Sequence, residues 1–219
     1  MYIIGISSNC YGAGKTTLAE GLVSMINDMP GMSGAASIVS FASPIKDSAL
    51  HMVECIAGRG PFDKTQVILG KDVTYRDVLL GIGQLARTWD PDFWLKAALY
   101  EMKRQSEAEG GPSVFIVDDM RFPNEFAYIK KHGLIGSSAE SSCSVYLTHE
   151  GYDGGAQNEA EGLLDPSLFD IRVIRSAQSR DKKDALVNIR RIFTYIKDDL
   201  EFVRIQREMC QEREFAEIL

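Results

Sequence analysis

Six consecutive residues, Gly12-Ala13-Gly14-Lys15-Thr16-Thr17, combine the types that a polyphosphate site needs. Glycines let the main chain approach an anion closely, so that several N–H groups converge on it. A helix starting directly afterwards adds about half a positive charge at its N-terminus. A lysine placed like Lys15 reaches β- and γ-phosphates, and a hydroxyl placed like Thr16 ligates Mg2+. All six residues are therefore candidate ATP-binding residues. The GxxxxGK[ST] pattern has glycine where this chain has Asn9, and Asn tolerates left-handed backbone better than most residues. A second group, Asp118-Asp119, ends the apolar run Val114–Val117. A carboxylate there holds the Mg2+ water shell opposite Thr16. Thr16, Asp118 and Asp119 are thus the candidate metal ligands. Neighbouring strand residues point to opposite faces, so one aspartate reaches the ion and the sequence leaves open which.

The elements that must position these residues follow from periodicity. Met1–Ile6 is a β-branched and aromatic run leading into the glycine loop, which predicts a buried strand. Leu18, Leu22, Met25 and Ile26 then share one helix face. Ser37–Phe41, Val114–Val117, Ser144–Leu147 and Asp170–Ile174 are the other expected strands. Ile45, Ala49, Met52, Val53 and Ile56 mark a helix, and 59–73 reads as a loop. Thr74 can cap a helix carrying Val78, Leu79, Ile82, Leu85 and Ala86. Asp90-Pro91 and Pro123 open two more helices. A long amphipathic helix is expected over 181–219, its last charged third either continuing it or packing on a partner.

Alternating strands and helices predict three α/β layers around a mainly parallel sheet, with ligands at the carboxyl ends of the strands. With the phosphate loop at the first strand end, the expected class is a three-layer P-loop nucleoside-triphosphate hydrolase fold. Its five-stranded sheet is flanked by helices, in a single domain over 1–219. Acceptor-binding helices are expected around 43–110 and a lid segment around 148–169.

Of 219 residues, 24 are Lys or Arg and 31 are Asp or Glu, giving a net charge of −7. That balance argues against coating a nucleic-acid polymer, which depends on neutralising phosphates with basic side chains. Residues 1–131 carry 13 basic and 15 acidic side chains, so most of the excess lies beyond the expected chemistry. Cys10, Cys55, Cys143 and Cys210 lack the short pair spacing of a zinc site or disulfide framework and are expected as reduced thiols. The early strand leaves no room for a signal peptide, and no apolar run approaches a membrane span of about 20 residues. These features predict a cytoplasmic protein with no membrane partner.

An Asn-Lys-x-Asp motif for guanine selection is absent, and the modest size favours a small-molecule kinase. Such an enzyme needs further cations for an acceptor phosphate. TYRDVLLGIGQLARTWDPDFWLKAAL (74–99) and VFIVDDMRFPNEFAYIKKHG (114–133) resemble the bacteriophage deoxynucleoside monophosphate kinases. That family shows an R-x-x-L-Q-x-x-G-x-x-x-R-like helix, a D-x-W-like helix start, and a strand running into D-V-R-F-x-N-E. The matches here are Arg76, Arg87, Asp92-Phe93-Trp94 and Asp119-Met120-Arg121-Phe122-Pro123-Asn124-Glu125. FASPIK (41–46) is similar to its F-A-x-P-L-K stretch, and AQNEAEGLL (156–164) to its later acidic segment. The likeness covers roughly residues 3 to 175. Two departures are Thr16, where many members have Asp, and Leu80-Gly81, where Leu-Gln is usual.

The resemblance implies transfer of the γ-phosphoryl of ATP to a deoxynucleoside 5′-monophosphate, with Mg2+, in a host cytoplasm if the chain is phage-encoded. It implies catalytic roles for Lys15, Arg121, Asp119 and Arg87. It places Lys46, Arg76, Arg87, Trp94, Arg121, Glu125 and Glu159 around the acceptor. Arg76 and Arg87 lie eleven residues apart, close to three helical turns, and guanidinium forks suit phosphate. Arg121 is the residue expected to bridge donor and acceptor, with Glu125 orienting it. Lys46 is either near the acceptor or simply exposed, and Trp94 with Phe93 either stacks on a base or fills the core. Arg172, Arg175 and Arg180 belong either to a lid or to the adenine side. His51, His132 and His149 show no partner pattern. The other readings are a dephospho-coenzyme A or nucleoside kinase and a non-catalytic ATP-binding protein. A homodimer is compatible with all three.

Overall fold

The computed structural model describes residues 1–10, 12–70, 72–108, 110–132, 142–151, 163–175 and 182–218. The chain divides into two compact units, one of Met1–Val39 with Lys103–Leu219 and one of Ser40–Met102.

The first unit is an α/β sandwich around a five-stranded sheet in which every pairing is parallel. Its strands are β1 (Tyr2–Ser8), β2 (Ala36–Val39), β5 (Val114–Val117), β6 (Ser142–His149) and β7 (Ile171–Arg175), ordered β2-β5-β1-β6-β7. All seven residues of β1 and all four of β5 are buried. That burial is why both read as unbroken apolar runs and not as alternation. Tyr2, Ile4 and Ile6 join Leu18, Leu22 and Ile26 of α1 (Lys15–Asn27) and Ile189, Ile192, Ile196 and Leu200 of α6 (Lys182–Ile218) in one core. On the opposite face Gly5 admits α5 (Pro123–His132). A Cβ at Gly5 would stand 2.7 Å from the Ile129 side chain.

Side-chain hydrogen bonds tie α6 to β7, where Asn188 donates to the Ile174 carbonyl at 3.3 Å, to the start of β1 and to the turn before β5. The Tyr2 hydroxyl donates to Asp199 at 2.8 Å, and burial pushes that phenol far above its usual range. Arg207 donates to the Gly110 and Gly111 carbonyls, at 2.8 and 2.5 Å, and to the Ser113 hydroxyl at 3.2 Å. Cys10 and Cys143 are buried thiols and Cys55 is exposed. No helix among the described residues is long and apolar enough to cross a membrane.

The second unit holds α2 (Ser43–Ala57), β3 (Val67–Leu69), β4 (Val73–Thr74), α3 (Tyr75–Trp89) and most of α4 (Phe93–Ser106). Ala49, Val53, Tyr75 and Val78 form one small core, and Ile45, Ala86 and Trp94 another. Thr74 caps α3 as expected. Its hydroxyl accepts from the Asp77 amide, and Asp77 accepts in return from the Thr74 amide.

Several expectations need correction. The span 59–73 is not all loop, because β3 and β4 pair there as an antiparallel hairpin. Strands of three and two residues are too short to show alternation. The helix at Asp90-Pro91 begins properly at Phe93, after Asp90 Oδ1 accepts the Asp92 amide in a turn. β1 runs past its expected end because its pairing with β6 continues to Ser8, and β6 extends both ways, pairing with β1 from Ser142 and with β7 up to His149. Of the span 148–169 expected as a lid, residues 152–162 lie outside the described ones, and Glu150, Gly151, Leu163 and 165–168 are exposed. Leu164 and Phe169 are buried, with the Phe169 ring 4.8 Å from Phe126 and 5.0 Å from Tyr146.

The turn into β5 gives a direct test of this packing. A Cβ on Gly111 would fall 2.1 Å from the Gln105 carbonyl oxygen and 2.8 Å from that of Ala108, and neither main-chain atom can rotate away. Gly111→Ala should lower unfolding free energy by about 1–3 kcal/mol, the range typical of overpacking. Urea denaturation measures it, and an unchanged midpoint would show that the turn relaxes freely.

Candidate functional site

The helix after β1 leads to one side of the sheet, whereas β6 leads to β7 on the other. The helices after the adjacent strands β1 and β5 also lie on opposite faces, so the winding reverses between those two. Sheets of α/β type hold ligands beyond the carboxyl strand ends at such a reversal. Four strand ends of the first unit deliver side chains to this region. They are the loop after β1, Asp118 after β5, His149 at the end of β6 and Arg175 at the end of β7.

The loop is shaped by its glycines. Gly12 has φ 74° and Gly14 has φ 101°, left-handed values that a side chain would strain. Gly14 also precedes α1, whose start has no side-chain cap and no acidic residue in its first turn. The positive end of the helix dipole therefore meets no side-chain cap and no carboxylate of its own first turn, an arrangement that suits an anion. Lys15 Nζ donates to Ser8 Oγ at 2.6 Å, and Ser8 Oγ donates to the Cys10 carbonyl at 2.8 Å. Thr16 Oγ1 donates to Asp118 Oδ2 at 2.8 Å. Of the two aspartates, Asp118 is thus the one hydrogen-bonded to Thr16. Thr17 is exposed and Ala13 buried.

Asn9 works differently from the sequence expectation. No described residue other than glycine has positive φ, so Asn9 is not there to tolerate left-handed backbone. Its side-chain amide extends the β1–β6 ladder by one rung. Oδ1 accepts the His149 amide at 2.9 Å, Nδ2 donates to the His149 carbonyl at 3.3 Å, and the Asn9 amide donates to Leu147 at 3.3 Å.

Glu125 is 4% exposed, and its Oε2 accepts the main-chain amides of Arg121 and Phe122 at 2.8 and 2.9 Å. It therefore orients the backbone from which Arg121 projects and closes the start of α5. Arg175 was left undecided by the sequence. Its Nη1 donates to the Ala13 carbonyl at 3.2 Å and lies 2.7 Å from where a Gly14 Cβ would stand. The signal that could have found both Arg175 and Ser8 is positional, since each is the last residue of a parallel strand. Arg172 is exposed on β7, and Arg180 lies outside the described residues.

In the second unit, Arg76 and Lys46 are exposed. Arg87 Nη1 donates to the Gly83 carbonyl at 3.1 Å. Of the two readings open for Trp94, the structure bears out the core. The residue is 5% exposed and its indole N–H donates to the same Gly83 carbonyl at 3.0 Å, so it belongs to the core and presents no face to a base. Phe93, edge-on to it at 4.9 Å, is 39% exposed. Glu159 lies outside the described residues, and Asp119 follows Asp118 half-buried.

Replacing Asn9 tests the rung. Asn9→Ala leaves the partly buried His149 amide without its acceptor, and an unsatisfied group of that kind costs about 1–3 kcal/mol. Chemical denaturation should show a loss in that range, while Asn9→Asp, which keeps the acceptor, should lose less. Equal losses for the two would mean that the amide acceptor is not what matters. A scan against protein-family models matches none, and a search of curated proteins finds no relative.

Proposed function

We propose that this chain is an ATP-dependent deoxynucleoside monophosphate kinase of P-loop fold, converting a dNMP to the dNDP for DNA-precursor supply. The observation that carries the reading is the Thr16–Asp118 hydrogen bond beside Lys15 at the uncapped start of α1. A hydroxyl and a carboxylate 2.8 Å apart are hard oxygen donors of the type Mg2+ takes, so these two residues fit the ion. When bound, Mg2+ neutralises charge on the β- and γ-oxygens of ATP.

Phosphoryl transfer asks the protein for positioning and electrostatic stabilisation more than for covalent chemistry. The loop amides of 12–14 and the start of α1 bind the donor phosphates. Lys15, held on the site side by Ser8, supplies a point charge to the β- and γ-groups. Arg175 brings a guanidinium against the same loop. Arg121 serves the charge developing between donor and acceptor, on a backbone that Glu125 fixes. The acceptor roles of Lys46, Arg76 and Arg87 rest on the family resemblance. A second phosphate site is what distinguishes a kinase from a passive ATP binder.

A coupled ADP-release assay over ribo- and deoxynucleoside monophosphates tests the reading. Turnover is expected with at least one deoxynucleotide, and none on any of them with ATP binding intact would sink the proposal. Lys15→Ala should abolish transfer. Arg121→Ala should cut kcat by about 10²–10³-fold, roughly 3–4 kcal/mol of lost transition-state stabilisation.

The two aspartates make separate predictions. Asp118→Asn should raise the Mg2+ concentration needed for half-maximal rate far more than Asp119→Asn does. A Mg2+ titration of both variants at saturating ATP decides it, and the reverse order would reassign the metal carboxylate to Asp119.

A further inference from the structure

The glycines at 12 and 14 let the phosphate loop approach an anion and also leave its peptide planes free to turn. The direction of each loop N–H is therefore not set by the local sequence, and something outside the loop must set it. The Ala13–Gly14 peptide shows what does. Ala13 is 1% exposed, and a carbonyl buried there needs a donor. Arg175 Nη1 supplies one at 3.2 Å. A trans peptide unit is planar, and its C=O and N–H point in opposite directions. Holding the Ala13 carbonyl against Arg175 thus aims the Gly14 N–H away from Arg175, to the opposite side of the loop.

Arg175 is itself held along the main chain. It ends β7 level with His149 of β6, and its own carbonyl accepts the Glu150 amide at 2.9 Å. The carbonyl before it, on Ile174, accepts from Asn188 of α6 at 3.3 Å. β7 stands two strands from β1, about 10 Å away in the sheet, so a side chain as long as arginine is needed to cross the end of β6. The same contact bears on residue 14. A Cβ there would stand 2.7 Å from Arg175 Nη1, so glycine suits the arginine as well as the φ of 101°. A cation on the carbonyl polarises the peptide unit and makes its N–H a stronger donor. The guanidinium keeps its charge at any pH at which proteins fold, so the contact does not titrate.

We propose that Arg175 is the positioning residue of the phosphate loop, holding the Ala13–Gly14 peptide so that the Gly14 N–H faces the phosphates of a bound nucleotide. Loop amides of this kind cradle the α- and β-phosphates, which ATP and ADP share. Arg175 acts through the peptide, and takes neither the lid nor the adenine role that the sequence left open for it. The inference rests on the nucleotide-binding half of the kinase reading and asks nothing of the acceptor.

Calorimetric titration of the full chain with MgATP and with MgADP tests it. Arg175→Met keeps most of the side chain's length and removes its donors. It should weaken both nucleotides alike, by about 10–100-fold, the loss expected for a hydrogen bond to a charged group. Arg175→Lys, which restores a cation and a donor, should recover part of that loss. In the nucleotide-free protein, amide hydrogen exchange at 12–15 should be faster in Arg175→Met than in the wild type, and slower again in Arg175→Lys. A loss confined to ATP would make Arg175 a γ-phosphate contact and overturn the proposal. Unchanged affinity for both nucleotides, or unchanged exchange, would overturn it too. A chain that shows the expected pattern but turns over no deoxynucleotide would refute the kinase reading alone. A wild type that binds neither nucleotide would refute both.

Discussion

Gly5 of β1 stands level with Val117 of β5, and Ser8 of the same strand stands level with Leu147 of β6. Those two parallel registers decide where every group at the candidate site falls. The first brings Asp118, one residue beyond the β5 ladder, to the Thr16 hydroxyl one helical step inside α1. The second brings Asn9, one residue beyond β1, to the main chain of His149. A slip of one residue in either pairing would turn each strand's side chains to the opposite face and part these groups. Burial makes that slip costly, since β1 has apolar neighbours on both faces. Gly5 leaves space for Ile129, and Ile4 and Ile6 enter the main core.

A net charge of −7 does not conflict with anion binding at that point. Coulombic effects of exposed charges fade over about 10 Å at ordinary ionic strength, so the local set decides. Around the loop this set is Lys15, Arg175, the amides that open α1 and the Asp118 carboxylate, with Asp119 and Arg121 following β5. The acidic excess of the second half of the sequence lies in 132–181, with 3 basic and 8 acidic residues, while α6 is balanced at 8 of each.

What was legible in the sequence was what local chemistry determines. Val114–Val117 announces itself because a central parallel strand must be apolar at every position, and its observed ends match. Thr74 and Pro123 mark helix starts because cap geometry involves only a few neighbouring residues. Contacts set by topology were not legible. Asn9 looked like a substitute glycine, yet its partner is 140 residues away. Arg175 reaches Ala13 across 162 residues, and nothing in its own neighbourhood of sequence points there. Trp94 carried the signal of an aromatic at a helix start, but the Gly83 carbonyl that receives its N–H lies on another helix.

Three helix starts explain why one of them is suited to phosphate. At α3, the Thr74 hydroxyl and the Asp77 carboxylate take up each other's main-chain donors. Hydrogen bonds from Thr74 hold the Asp77 carboxyl below its usual range, so an anion already occupies that start. At α5, Glu125 accepts the amides of Arg121 and Phe122 and does the same. Each carboxylate satisfies its own helix and repels a second anion. At α1 the corresponding position is Gly14, with no side-chain cap and no acid in the first turn. A cap there contributes about 1 kcal/mol to an ordinary helix, so its omission weakens α1 unless something else binds the amides. The positive end of the α1 dipole is then complementary to a polyphosphate, and Lys15 stands at that same end. The fold thus closes the starts of α3 and α5 with its own carboxylates. It leaves that of α1, like that of α2, without a side-chain cap or an acid in its first turn, and at α1 the proposed polyphosphate takes that place.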